Sequence, residues 1–158
     1  SKEVARICRK NVEAAFLAGL LHDLGRPVAV QAILKISREI DVQMAREEVL
    51  ELEEEFQRDI GVKVLEIWEM PSSVCHSLKY FTDYSQPHQA QSQTMIVVAG
   101  ALAASHFLCD QARDQVCMTA EELKTQQVFP DLNLYPDQIE MLLEKEETVN
   151  SALEALSL

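Results

Sequence analysis

Phe16-Leu17-Ala18-Gly19-Leu20-Leu21-His22-Asp23-Leu24-Gly25-Arg26 is an apolar run that stops on an adjacent imidazole and carboxylate. Upstream and within it, Val4, Ile7, Cys8, Ala14, Ala15, Leu17, Ala18 and Leu21 recur at spacings of three and four, the pattern of a helix with one buried stripe. The spacing predicts a first helix from about Lys2 to His22. Gly25 reads as a left-handed terminator, and Pro27 as the start of a second helix to about Ile40, since its missing N–H would be unpaired in a first turn anyway. Neighbouring imidazole and carboxylate groups can share a divalent metal, so His22 and Asp23 are the candidate metal ligands of this chain.

The remainder repeats the helical signature. Hydrophobic residues make up 47% of the 158, aromatics only 6%, and there are four Gly and five Pro, a composition of packed helices with few turns. The expectation is one all-α domain spanning 1–158, a compact bundle of six or seven helices. An acidic stretch from Arg46 to Phe56 reads as a solvated helix face, followed by an amphipathic helix from Gln57 to Trp68 with Trp68 in the core. Val74, Leu78 and Phe81 form the stripe of the next helix, Asp83 to Gln91 the main loop, and Met95 to Leu108 a buried helix. Thr119-Ala120-Glu121-Glu122 is a capping box for a short helix to about Gln127; Phe129 to Tyr135 reads as a turn, and Pro136 opens a final helix to about Leu156.

Charge excludes several classes of partner. With 26 acidic against 14 basic residues the chain carries −12, and no basic cluster interrupts that field, so neither nucleic acid nor an anionic membrane is expected as a partner. The longest apolar run, Met95 to Ala104, is about half of what spanning a bilayer requires, and the N-terminus lacks a signal-peptide core. Cys8, Cys75, Cys109 and Cys117 form no C-x-x-C pair, and the first three sit in apolar helical contexts as small hydrophobes, which points to a reduced, cytoplasmic setting. Because Ser1 opens directly into a helix, the chain reads as a segment of a longer protein.

The dyad stretch, taken with Gly61-Val62-Lys63-Val64-Leu65-Glu66-Ile67-Trp68-Glu69-Met70-Pro71, resembles an HDOD domain over nearly the whole chain, Lys2 to Leu156. This family is related to the HD metal-dependent phosphohydrolases, including cyclic-di-GMP phosphodiesterases of the HD-GYP type. The resemblance implies an HD-domain-like helical fold and attachment to receiver, diguanylate-cyclase, EAL-like or kinase modules in bacterial signalling chains. Catalytic relatives bind metal through the HD pair, further histidines and a later aspartate. In this sequence the pair is His22 and Asp23, but the other positions fall on Gln57, Phe81, Thr82 and the neighbourhood of Gly100. A neutral amide is a poor ligand for a catalytic transition metal, and glycine offers none.

The other histidines do not complete a site: His76 lies off its helix stripe, His88 falls in the polar loop, and His106 lies beside Phe107 on an apolar helix. Two functions remain open. One is a non-catalytic regulatory module, without a cofactor, that binds a protein partner or small ligand through the acidic helix Glu47–Glu55 or the loop Asp83–Gln93. The other is a phosphohydrolase acting on a nucleotide or cyclic dinucleotide with a weakly held divalent metal, using Arg26, Arg58, Lys63 or Lys79 for phosphate oxygens. A third reading is a homo-oligomer formed through the final helix. In a structural role, Asp23 would be a buried carboxylate held by His22 or by N–H groups of the Gly25 turn.

Overall fold

A computed structural model of the chain describes residues 1–108 and 118–156, and every regular element within them is helical. The elements are α1 (Lys2–Ile7), α2 (Val12–Leu21), α3 (Gly25–Glu39), α4 (Arg46–Ile67), α5 (Ser72–Lys79), α6 (Gln91–Phe107), α7 (Ala120–Lys124), α8 (Val128–Asp131), α9 (Pro136–Leu143) and α10 (Glu146–Leu156). The all-α expectation holds, with ten helices in the described residues where six or seven were expected. None of these helices is long and apolar enough to cross a membrane.

The differences have local causes. The first helix is broken because Arg9 adopts φ 52° and Asn11 Oδ1 then accepts the N–H of Ala14 at 3.0 Å, an N-cap that starts α2 afresh. The acidic stretch and its successor are one helix, α4, because Glu53, Gln57, Gly61 and Leu65 keep a single buried stripe at four-residue spacing through the expected junction. The final helix turns at Glu144 and Lys145, and the Phe129–Tyr135 region contains the short α8. The Thr119 capping box forms as expected, with Glu122 N–H on Thr119 Oγ1 at 3.2 Å and Thr119 N–H on Glu122 Oε2 at 2.8 Å. That capping pulls the Glu122 carboxyl below its usual range.

Four helices end the same way without a glycine. Arg9, Asp41, Glu69 and Asn133 take φ between 52° and 58° just after α1, α3, α4 and α8. In each case the next residue's N–H bonds back five residues: Lys10 to Ala5, Val42 to Ser37, Met70 to Leu65 and Leu134 to Phe129. These are Schellman closures, for which glycine is the usual residue. Gly25 is not a terminator. It has no positive φ and begins α3, buried.

The glycines serve close packing instead. A Cβ on Gly25 would lie 1.7 Å from the backbone oxygen of Gln57, and one on Gly61 would lie 3.2 Å from Gly25 Cα and 2.7 Å from Leu78 Cδ2. Backbone thus meets backbone where α3 crosses α4.

The chain divides into two compact units, Leu20–Thr94 and Ser1–Gly19 with Met95–Leu158. In the first, α3 packs on α4 and α4 on α5, burying Ala29, Leu65, Val74 and Leu78. In the second, α1 and α7 both pack on α9 around Val4, Leu123, Phe129 and Ile139. There Ser1 fills the space that a side chain on Gly19 or Gly100 would need. Trp68 is not a core residue: it is 55% exposed at the C-terminal end of α4, where the chain turns away at Glu69 before the indole can reach the buried stripe. Cys8 and Cys75 are half-buried free thiols whose pKa burial raises; Cys109 and Cys117 lie outside the described residues.

Two stability measurements check this account by chemical denaturation. In an ordinary helix interior Gly→Ala is stabilising by about 1 kcal/mol, yet Gly25→Ala is expected to destabilise by about 3 kcal/mol, because backbone oxygen cannot move aside. Gly61→Ala, which meets the end of a leucine side chain, should cost roughly half as much. Glu69→Gly should raise stability by about 1 kcal/mol through relief of the left-handed backbone.

Candidate functional site

His22, Asp23 and Leu24 form the turn between α2 and α3. The glycine crossing brings this turn to the middle of α4, next to the stripe residues Glu53 and Gln57. Arg26, in the first turn of α3, occupies the space between them. Its Nε lies 2.9 Å from Asp23 Oδ1, its Nη1 3.0 Å from Glu53 Oε1 and its Nη2 3.4 Å from Glu54 Oε2. Gln57 Nε2 donates to the same Glu54 oxygen at 2.7 Å. One guanidinium therefore gathers three carboxylates, each through a charge-assisted bond.

Burial is uneven across this network. The Glu53 side chain is only 7% exposed, whereas Asp23 is 55% exposed. The buried carboxylate is thus Glu53, not Asp23, because the dyad turn projects from the helix ends while Glu53 lies on the face of α4 that packs on α3. The acidic stretch is accordingly not wholly a solvated face. Sequence reasoning missed the Arg26–Glu53 pair, although Glu53 lies four residues before Gln57 and eight before Gly61, on the same stripe.

The His22 ring lies 5.2 Å from that of Phe81, tilted by 35°. The Arg58 guanidinium sits 5.4 Å from the same phenyl ring and donates to the carbonyl of Leu78 at 3.1 Å. Burial lowers the pKa of Arg58, against the opposing pull of Glu54 and Asp23. Phe81, where the resemblance implied a ligating histidine, is an aromatic surface between an imidazole and a cation.

This donor set does not fit a catalytic metal. Among the described residues no group of three or more His, Cys, Asp or Glu side chains could hold one. One oxygen each of Asp23, Glu53 and Glu54 is taken by the Arg26 guanidinium, and Gln57 turns its amide N–H₂ toward Glu54. Gly100, at the expected position of the late aspartate, backs onto Ser1, whose backbone nitrogen would lie 2.2 Å from any Cβ there.

The remaining histidines are placed more firmly than their sequence contexts suggest. His88 stacks on Tyr80 at 4.2 Å, bonds Gln86 O through Nδ1 at 2.7 Å and Thr94 Oγ1 through Nε2 at 2.9 Å, and so is fixed rather than loose in a polar loop. A carbonyl only accepts, so Nδ1 carries a proton. His76 meets His88 edge-on at 6.1 Å, with its own Nδ1 buried and without a hydrogen bond. The Asp83 carboxyl at the start of this loop is held below its usual range by the Ser85 hydroxyl and the Gln86 amide. His106 Nδ1 bonds Met118 O at 2.7 Å.

The HDOD domain family model matches residues 1–84, which takes in α1 to α5 and therefore the dyad turn, Arg26, Glu53, Gln57, Arg58 and Phe81. The match is shorter than the Lys2–Leu156 span expected from the motifs. No curated protein and no solved structure matches the chain.

Arg26→Ala should leave Glu53 buried without its partner and lower stability by about 1–3 kcal/mol in urea melts. Arg26→Ala combined with Glu53→Gln should recover much of that loss, since the uncompensated charge is then gone.

Proposed function

The chain belongs to the HDOD domain family, and from that premise we propose that it is a non-catalytic signal-transduction module of a bacterial regulatory pathway, cytoplasmic, binding a protein partner or a small ligand. The observation that carries this reading is the Arg26 network. Where a metal-dependent phosphohydrolase would set several acidic and imidazole donors around one cation, this chain sets one protein cation among three carboxylates. Guanidinium cannot lose its proton near neutral pH, so Arg26 offsets part of the charge of the acidic cluster permanently and is itself no acid–base group.

Catalysis by a metal-bound hydroxide needs three or more protein ligands and an open coordination position. His22 and Asp23 alone provide two, and Asp23 is already paired. The emptied site therefore serves as a rigid joint: it fixes the α2–α3 turn to α4 and holds constant the surface that α3 and α4 present outside it.

Elemental analysis of protein purified without chelator and then dialysed should find no stoichiometric iron, manganese or zinc. Hydrolysis of cyclic-di-GMP or nucleoside phosphates with added manganese should not exceed that of an Asp23→Ala control. A metal-dependent activity lost in that variant would establish the phosphohydrolase reading instead.

A further inference from the structure

An apolar groove of about 560 Å³ runs between α3 and α4, with Ile33 and Ser37 of the buried stripe of α3 in its lining. Its walls include Ile36 and Ile40 from α3 and Leu52, Phe56 and Ile60 from α4, and Val42 closes one end. These side chains are unusually open for their type: Ile36 is 54% exposed, Ile40 62%, Val42 48% and Phe56 44%. The floor is firm. Ser37 Oγ donates to the carbonyl of Val42, tying the α3–α4 connection to the end of α3, and Glu48 Oε2 accepts the N–H of Ala45 at 2.7 Å, fixing the start of α4. A contiguous exposed apolar patch with a rigid frame marks an interaction surface.

The two rims differ in charge. Leu52, Phe56 and Ile60 follow one another at four-residue spacing, and the residues one position before the first two, Glu51 and Glu55, continue from Glu47 as an exposed acidic row on the adjoining face of α4. On α3 the corresponding edge carries Lys35 paired with Glu39 at 3.9 Å, which is neutral in sum. An apolar trough with one negative bank selects its occupant by charge as well as by shape.

We propose that this groove docks an amphipathic helix from another protein, one whose apolar stripe is flanked on one side by lysine or arginine. The wall from Glu48 to Ile60 extends about 18 Å at the helical rise, enough for about three turns of a partner helix with anchors at i, i+4, i+7 and i+11. A second copy of this chain fits poorly. At a net charge of −12, and with α10 opening on Glu146 and Glu147, it would bring like charge to the acidic bank. The inference rests on reading the chain as a partner-binding module, and gives that module a face and a partner chemistry.

The test uses the full chain and two fluorescent peptides of about fourteen residues, sharing leucines at i, i+4, i+7 and i+11 and differing only in whether Lys or Glu flanks them. Anisotropy titrations should show the lysine peptide binding, weakened by salt, and the glutamate peptide binding about tenfold or more weakly. E51K/E55K should invert that preference. Ile40→Asp, at a position already open to water, should abolish binding while leaving the melting temperature unchanged. Equal affinity for the two peptides, or binding indifferent to Ile40→Asp, would overturn the proposal. So would a sedimentation-detected dimer that Ile40→Asp dissociates, which would make a second copy the occupant. Asp23-dependent phosphohydrolysis would remove the regulatory reading while leaving the groove measurements intact; loss of peptide binding without hydrolysis would remove the groove alone.

Discussion

Two glycines set the distance between α3 and α4, and the arrangement of the candidate site follows from that distance. Gly25 has the backbone oxygen of Gln57 where its Cβ would be, and Gly61 approaches Gly25 from the same side. No other residue type allows helices to come this close, since any Cβ adds contact below van der Waals separation. With the crossing fixed, Arg26 falls one residue beyond the contact and reaches across to Glu53 and Glu54, four and three residues before Gln57. Leu65 and Leu78 then close the hydrophobic layer beneath. A weaker crossing would separate Arg26 from Glu53 and leave a buried carboxylate without compensation.

The same geometry sets the surroundings of the dyad. The crossing places the His22–Asp23 turn beside Gln57, and the packing of α5 on α4 places Phe81 against His22. Both are positions where the resemblance to catalytic relatives implies histidines. In this chain they hold an amide that donates to Glu54 and a phenyl ring that faces Arg58. Clustered carboxylates require a compensating cation, and a covalently tethered guanidinium supplies it without depending on metal supply. The clustered charge contributes to structure through Arg26.

The proposed function places the working surface on the outside of this unit rather than in its interior. α4 is two-sided: Glu53, Gln57, Gly61 and Leu65 face inward, while Leu52, Phe56 and Ile60 open to the groove beside the acidic row. The inward face uses small and polar residues because backbone approach and ion pairing decide its packing. Phe56 is 44% exposed there, and a partner's apolar stripe would offset the solvation cost of that exposure.

Sequence alone determined the helical class, the dyad and its turn, the Thr119 capping box and the start of α9 at Pro136. These features depend on periodicity, capping chemistry or residue identity at a fixed spacing, all of which are local. Only the tertiary structure decided what the glycines do. A glycine beside a helix end is compatible with a left-handed terminator or with close packing, and the presence of Gln57 O at Gly25 selects the second. It also showed that Arg9, Asp41, Glu69 and Asn133 terminate helices, a backbone conformation that side-chain chemistry only weakly signals. Trp68 and Asp23 lie outside the core, and Glu53 inside it, for a related reason. Burial depends on where a neighbouring helix crosses, and that is set by contacts between Gly25 and Gly61, residues thirty-six positions apart in the chain.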